Sequence, residues 1–221
     1  MTTEHHEMTG RERVACAIAR QGPDRVPVVA LMIHHAIRLA GLRYDQCARD
    51  PALLVQAHLA AWKAYGYDGF HVTCDNWVLP SALGCPIQFF PDQPPTAAAR
   101  ILADTKDLAR LAKVHTGTEG RLGFKVEATR LAAQAVGDRC HLKTCFDSGP
   151  FSLATALRGI EQLMLDCLDD PPFVLESEDC QRLLREGVQY YHRYISFWQK
   201  LLFEKFFFIS SKIMHRRNSS Y

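Results

Sequence analysis

The sequence predicts an α/β protein whose parallel sheet is built from βαβ units. Three stretches have the alternating or continuous apolar pattern of strands, and between them lie segments whose apolar residues recur at helical spacing. Strands that alternate with helices along a chain are typical of parallel sheets, because a crossover helix must return the chain before the next strand can begin. We find no repeat at the period of a solenoid, so the chain is expected to form a globular domain.

The first strand is predicted at Val26–Leu31, a nearly continuous apolar run after the turn at residues 22–24. Such a run is typical of a strand buried on both faces. Pro27 suits only the start or the edge of a strand, because proline has no N–H to donate. His34 and His35 follow at a predicted helix start and loop, and His34 is also a candidate substrate-binding residue at the mouth of a pocket.

The second strand is predicted at Phe70–Asp75, after two glycines that suit a helix end and a tight turn. Alternation places its residues on two faces, Phe70, Val72 and Cys74 on one and His71, Thr73 and Asp75 on the other. Asp75 is followed by a short predicted helix, so it either caps that helix or is a catalytic carboxylate at the lip of a strand. From the residues alone, capping is favoured.

The third strand is predicted at Cys140–Phe146, and it resembles the second in having one polar face that leads to an aspartate. The members of that face are His141, Lys143, Cys145 and Asp147. Helices are predicted after the capping box at 9–12, over 51–65, from 75–76 to 83, from 104 to 111, over 125–136, from 151 to 157, over 160–168 and over most of 173–194. Loops are predicted at 91–95 and 115–123.

Composition excludes several classes of function. The chain has 221 residues, a formal charge of +2, 48% hydrophobic and 23% charged residues, as expected of an ordinary globular protein. No basic stripe suggests nucleic acid, and no apolar run is long enough to cross a bilayer. The polar start lacks the apolar region of a secretory signal, and eight cysteines without a dense framework suggest reduced thiols. We therefore expect a cytoplasmic protein.

The residue vocabulary changes near Ser196. Residues 197–221 contain no Ala, Gly, Asp, Val or Pro, which are common before that point. One interpretation is a C-terminal helix that docks on the sheet. The favoured interpretation is that residues 1–196 form the domain and residues 197–221 do not belong to it, as after a shifted reading frame, a fusion or a truncation.

Three segments, in order, resemble the uroporphyrinogen decarboxylase (URO-D) superfamily, and together they span Thr9 to Tyr194. They are TGRERVACAIARQGPDRVPV, AYGYDGFHVTCDNWVLPSALGCPIQF and SGPFSLATALRGIEQLMLDCLDDPPFV. The resemblance is closest to the branch of cobalamin-dependent (corrinoid) methyltransferases of the methanol/methylamine type. It implies a (β/α)8 TIM barrel with its cleft at the carboxyl ends of the strands, of which this chain supplies the N-terminal half to two-thirds.

The resemblance also implies roles for particular residues. Asp75 matches the decarboxylase aspartate that binds pyrrole N–H groups, which makes it the candidate catalytic residue. His71, Lys143 and Asp147 would lie on inward strand faces as candidate substrate-binding residues, although a polar lining without a role is the alternative. The decarboxylase's arginine motif is not visible in VALMIHHAIRLAG, and its active-site tyrosine falls near Ala156.

Three functional hypotheses follow. The leading one is methyl transfer between a corrinoid and a thiol, with zinc held by a His-x-Cys pair and a distant Cys in the later half of the family's domain. The resemblance implies that this chain lacks that later half, and His141 and Cys145 do not have the required spacing, so we expect no metal site and no cofactor in this chain itself. His141 and Cys145 could form a separate site, but strand packing of Cys145 and a hydrogen-bonded His141 is favoured. The alternatives are decarboxylation of uroporphyrinogen in porphyrin biosynthesis, which needs no cofactor, and a catalytically silent fragment. A half barrel would expose sheet edges, so we expect the chain to form homo-oligomers or aggregates. The other expected partner is a small molecule or a corrinoid protein that serves as the substrate.

Overall fold

A computed structural model describes residues 7–104, 108–112, 121–144 and 150–169. The helices in these ranges are α1 (Gly10–Ile18), α2 (Ile33–Leu39), α3 (Tyr44–Cys47), α4 (Pro51–Tyr65), α5 (Val78–Ala82), a 3-10 turn (Leu108–Arg110), α6 (Arg121–Val136), α7 (Pro150–Arg158) and α8 (Ile160–Asp169). The strands are β1 (Val29–Ala30), β2 (Gly69–Val72), β3 (Ile87–Gln88), β4 (Thr96–Ala97) and β5 (His141–Thr144). Among these helices, none is long and apolar enough to cross a membrane.

β2 is the middle strand of a parallel sheet with the order β1-β2-β5. Its apolar face carries Phe70 and Val72, both fully buried in the larger core, which also contains residues of α2, α4 and α6. The predicted interior parallel strand at Phe70–Asp75 is therefore confirmed, although the ladder ends at Val72. The third predicted strand is confirmed over His141–Thr144, and residues 145 and 146 lie outside the described ranges.

The prediction that Val26–Leu31 is buried on both faces is wrong. Only Val29–Ala30 pairs with β2, and the side chains of Val26 and Val28 are 82% and 52% exposed. In the described part of the chain β1 is an edge strand, so one side of it meets no neighbour. Its carbonyl at Val28 does accept two hydrogen bonds, from the N–H groups of Asp68 and Gly69 at 2.9 and 3.1 Å.

Most helices follow from their local signals. Thr9 and Glu12 form the predicted capping box of α1. In α4, Asp50 caps the N-terminus, Pro51 is the first residue, and Gly66 ends the helix at φ +62°. The helices predicted at 151–157 and 160–168 are also present, within α7 and α8. Residues 173–194 and 197–221 lie outside the described residues, so the predicted helix and the proposed domain boundary stay predictions.

Four other regions differ from the expectation. Helix α6 begins at Arg121, inside the stretch predicted to be a Gly/Thr-rich loop, because Gly123 is accommodated within a helix whose neighbours pack on the core. Helices α2 and α3 were not expected beyond a helix start near His34. The loop at 91–95 joins β3 and β4, which pair as an antiparallel hairpin. Strands of two residues are too short to be recognised from the sequence. Of the helix predicted from 104 to 111, the described residues form only the 3-10 turn.

A buried ion network fastens α1 to the start of β2. Asp68, 2% exposed, accepts hydrogen bonds from Arg13 and from both terminal nitrogens of Arg25, at 2.7 and 2.8 Å for the latter. The same carboxylate accepts the N–H of Val28 at 2.8 Å. Arg13 in turn holds Asp24 through two hydrogen bonds of 2.6 and 2.7 Å. These contacts set the position of α1 and of the approach to β1 relative to β2.

Glycine is required at position 10, where α1 packs against the backbone of Asp68. A Cβ at this position would lie 2.8 Å from Asp68 Cα and nearer still to the Asp68 carbonyl oxygen. We therefore expect Gly10→Ala to lower the free energy of unfolding by about 1–3 kcal/mol, since backbone must move to admit the methyl group. Urea denaturation would measure the loss.

The matched control is Gly22→Ala, because nothing lies within 4 Å of a Cβ there. We expect that variant to change the free energy of unfolding by less than about 1 kcal/mol. Equal losses for both variants would contradict the packing argument.

Candidate functional site

Asp75 lies three residues beyond the end of β2, and 6% of its surface is exposed. Its Oδ1 accepts the Trp77 backbone N–H at 2.8 Å and Arg121 Nη1 at 3.0 Å. Its Oδ2 accepts Arg121 Nη2 at 2.5 Å and the Cys74 thiol at 2.9 Å. Each oxygen therefore receives two donors, which fills the usual acceptor capacity of a carboxylate.

Arg121, the first residue of α6, is the ion-pair partner that the sequence did not reveal. Its side chain is 15% exposed, and its guanidinium carbon lies 5.3 and 5.9 Å from the ring centres of Phe89 and Phe124. Nη2 also reaches the carbonyl oxygen of Ala48 at 3.3 Å, so this side chain links α6 to the ends of α3 and β2. No local signal could indicate the pair, because Asp75 and Arg121 are 46 positions apart.

The pKa values of Asp75 and Cys74 are shifted in opposite directions. Burial raises the pKa of the Asp75 carboxyl, but the hydrogen bonds and charge of Arg121 outweigh it, and the net pKa is below its ordinary value. Burial, followed by the charge of Asp75, raises the pKa of the Cys74 thiol well above its usual range. At neutral pH the site therefore contains a carboxylate, a guanidinium and a protonated thiol.

His34 lies in α2 and is exposed, with its ring 5.5 Å from the ring of Tyr44. Partial burial lowers the pKa of His34, and the charge of Asp75 acts in the opposite sense. His34 follows strand β1 in the chain as Asp75 follows the parallel strand β2. The structure thus brings His34 to the same end of the sheet as Asp75.

His71 and Lys143 are direct neighbours in the register of β2 and β5. Neighbours in a parallel ladder project to the same face, here the face opposite Phe70. Burial lowers the pKa of His71, and the charges of Lys143 and His141 lower it further, so the imidazole is neutral at pH 7. Asp147 and Cys145 lie outside the described residues, and their predicted roles stay predictions.

The described residues do not fit a zinc site. Within the described ranges, no group of three or more His, Cys, Asp or Glu side chains could hold a metal ion. His141 is half-buried, with its pKa lowered by burial and then by the charge of Arg11. We therefore derive no chemical step through a metal.

His58 is a buried histidine beside the site that sequence reasoning missed. It is fully buried in α4, its ring stacks on Phe70 at 5.4 Å, and its Nε2 lies 3.1 Å from the carbonyl oxygen of Thr73. Burial lowers the pKa of His58 to about 4. The neutral ring therefore holds the chain at the point where β2 turns towards Asp75.

Removing the charge of Asp75 should destabilise the fold, because Arg121 would be left mostly buried without its carboxylate. We expect Asp75→Asn to lower the free energy of unfolding at pH 7 by about 3 kcal/mol. The control is Glu127→Gln, whose partner Arg130 and the glutamate itself are 41% and 42% exposed, and whose loss should be below about 1 kcal/mol. If both variants lose the same free energy of unfolding, the buried pair contributes no more to stability than the exposed one.

His58 should make stability depend on pH. Its folded pKa of about 4 lies below the ordinary 6.5, so the unfolded chain takes up the proton first and stability falls as the pH drops from about 6.5 to about 4. We expect the stability advantage of wild type over His58→Gln to shrink by up to about 3 kcal/mol across that range.

Denaturation curves at several pH values would measure this difference. The control His35→Gln, in an exposed pair with Tyr65, should keep the wild-type pH profile. A difference between wild type and His58→Gln that does not change with pH would contradict the assignment.

Comparisons with known proteins identify the fold and the family of this chain. A methyltransferase from Methanosarcina mazei has the same fold, with a TM-score of 0.69 and 20% sequence identity; the match covers 86% of this chain and 57% of the other. This chain thus spans less than two-thirds of that neighbour's length. Comparison with curated proteins finds no significant match.

The sequence pattern of the uroporphyrinogen decarboxylase (URO-D) family matches residues 9–195, well over half of the chain. The predicted superfamily and the predicted fold class are both confirmed, since the domain of this family is a (β/α)8 TIM barrel. The chain therefore belongs to the uroporphyrinogen decarboxylase family, and its sheet β1-β2-β5 is part of such a barrel.

Proposed function

We propose that this chain is the N-terminal part of a methyltransferase-type enzyme of its family, which moves a methyl group between a corrinoid and a thiol. The barrel fold shared with the Methanosarcina methyltransferase supports the choice of this branch. Decarboxylation of uroporphyrinogen is the competing chemistry, and the environment of Asp75 supports methyl transfer over it.

The occupied carboxylate of Asp75 is the observation that carries the proposal. A decarboxylase aspartate needs free lone pairs to accept pyrrole N–H groups and to stabilise a developing cation. Here Arg121, Cys74 and Trp77 already supply four donors to the two oxygens, and the guanidinium neutralises the charge. Asp75 in this setting is a positioning residue for Arg121 and the turn after β2.

Two further features disfavour the decarboxylase. The segment after β1 forms α2, in which Arg38 is the only arginine, and Arg38 is exposed. Near the position of the expected tyrosine lies Ala156, whose carbonyl oxygen accepts Arg100 at 2.9 Å. Neither supplies a carboxylate clamp or a phenol.

His71 and Lys143 suit the activation of a thiol. The methyl acceptor reacts as its thiolate, so its proton must leave before the new bond forms. The neutral imidazole of His71 takes this proton, and the ammonium of Lys143 beside it favours the sulfur anion. A methylated corrinoid would be the methyl-donating substrate: the S–CH3 bond would form as the carbon–cobalt bond broke, and the electron pair of the broken bond would leave with the corrinoid.

Zinc and the place of the reaction are also part of the proposal. We propose that zinc, which the methyltransferase branch uses to activate the thiol, is held by residues outside those described. We place the protein in the cytoplasm, since the described cysteines Cys16, Cys47, Cys74, Cys85 and Cys140 are all free thiols, as is usual in a reducing compartment.

The test is a product assay on the full chain with added zinc. Methylcobalamin and a small alkyl thiol should give the methyl thioether, seen by mass spectrometry, with a matching loss of methylcobalamin absorbance. Uroporphyrinogen should release no carbon dioxide. His71→Gln should slow methyl transfer by about a hundredfold, the usual contribution of a general base.

The control variant Glu127→Gln, on the exposed face of α6, should keep the wild-type rate. Carbon dioxide release without thioether would establish the decarboxylase instead. Neither product, together with elution as a multimer, would favour the silent fragment, which could associate through the exposed β1 edge around Val28 and Leu31, 52% and 62% exposed.

A further inference from the structure

A cavity lies at the amino end of β2, the end opposite Asp75. Its volume is about 560 Å³, within the range of pockets that hold small molecules. The charged and aromatic residues that line it include Arg13, Arg25, Trp62, Lys63, Asp68 and Arg139. Since Asp68 precedes β2 and Asp75 follows it, the cavity is separate from the candidate active site.

The side chains at the base of this cavity are held by mutual hydrogen bonds and have no net formal charge. Arg13 and Asp68 are each 2% exposed, and they belong to the network that also includes Arg25 and Asp24. The two arginines and two aspartates cancel in formal charge. The Arg25 side chain is nevertheless 47% exposed, and Arg25 is one of the residues that line the cavity.

The wall of the cavity carries two cations beyond this balanced network. Lys63 is exposed at the end of α4, and in the described part of the chain it makes no hydrogen bond or ion pair. Arg139 lies beyond α6, where it donates to the carbonyl oxygens of Ala135 and Val136 at 2.9 and 3.3 Å. The partial negative charges of the two helix ends offset these cations only in part, at about half a charge each.

An aromatic surface lies between the two cations. The Arg139 guanidinium is 5.3 Å from the ring centre of Trp62, and Trp62 Nε1 is fixed by a 3.0 Å hydrogen bond to the Tyr67 carbonyl oxygen. Leu59 adds an apolar side chain to the same lining. The cavity thus combines excess positive charge with a fixed flat ring.

We propose that this cavity binds a small organic anion, a carboxylate or a phosphate monoester with a planar apolar body. The anionic group meets Lys63, Arg139 and the half-exposed Arg25, and the body lies along Trp62 and Leu59. The ligand joins the carboxyl ends of α4 and α6 to the base of the sheet, so it stabilises the barrel rather than reacting. This inference does not depend on the proposed methyl transfer.

Calorimetric titration of the full chain with phenyl phosphate, benzoate and inorganic phosphate tests it. Phenyl phosphate or benzoate should bind at least about tenfold more tightly than inorganic phosphate if the ring stacks as proposed, and comparison of the two identifies the preferred anion. Lys63→Gln combined with Arg139→Gln should weaken binding by about tenfold or more, because charge-assisted hydrogen bonds are lost. Lys63→Arg should retain it.

The control combines Arg38→Gln with Arg130→Gln, which removes the same charge from exposed sites away from the cavity. It should leave the affinity unchanged. Binding to none of the three probes, or equal weakening by the control and the Lys63/Arg139 pair, overturns the proposal. Circular dichroism of each variant confirms that the fold is intact.

Discussion

A carboxylate neutralised by arginine at each end of β2 is the constraint on which the described structure depends. Asp68 binds Arg13 and Arg25 at the start of the strand, and Asp75 binds Arg121 just beyond its end. The attraction within a deeply buried ion pair exceeds by little the free energy lost when the two charges leave water. The main effect of these pairs is therefore to exclude other arrangements of the strand. A shift of the strand would leave one of these carboxylates without its partner.

The two ends of the strand nevertheless have different properties. At the amino end, the ion network closes the space between α1 and β2 so tightly that Gly10 cannot carry a side chain. At the carboxyl end, the pair lies beside the protonated thiol of Cys74, and the neutral His71 and the exposed Lys143 are neighbours on β2 and β5. In barrels of this kind the carboxyl ends of the strands carry the chemistry and the amino ends carry stability.

In the described part of the chain, β1 is an edge strand of the parallel sheet. A closed barrel has no edge strands, whereas the described sheet ends at β1 on one side and β5 on the other. Apolar residues around β1 that would pack against further strands are therefore exposed here, and this explains why a sequence typical of a buried strand is found at an edge.

The sequence alone determined the features that depend on neighbouring residues. A capping box, a proline at a helix start and a glycine at its end act within a few positions, and so the start of α1 and both ends of α4 could be predicted. Alternation along β2 likewise placed His71 on one face and Phe70 on the other. The order of the three family-like segments identified the superfamily and hence the barrel.

Only the tertiary structure decided which distant groups meet. Arg121 reaches Asp75 from 46 positions away, and Arg13 reaches Asp68 from 55 positions away, and no periodic pattern encodes such pairs. Burial was likewise decided by neighbours, since Val28 is exposed in an apolar run while Arg13 and His58 are buried in ordinary helices. The physical reason is that charge pairing and desolvation act through space, where the fold sets the distances, whereas local propensity acts along the chain.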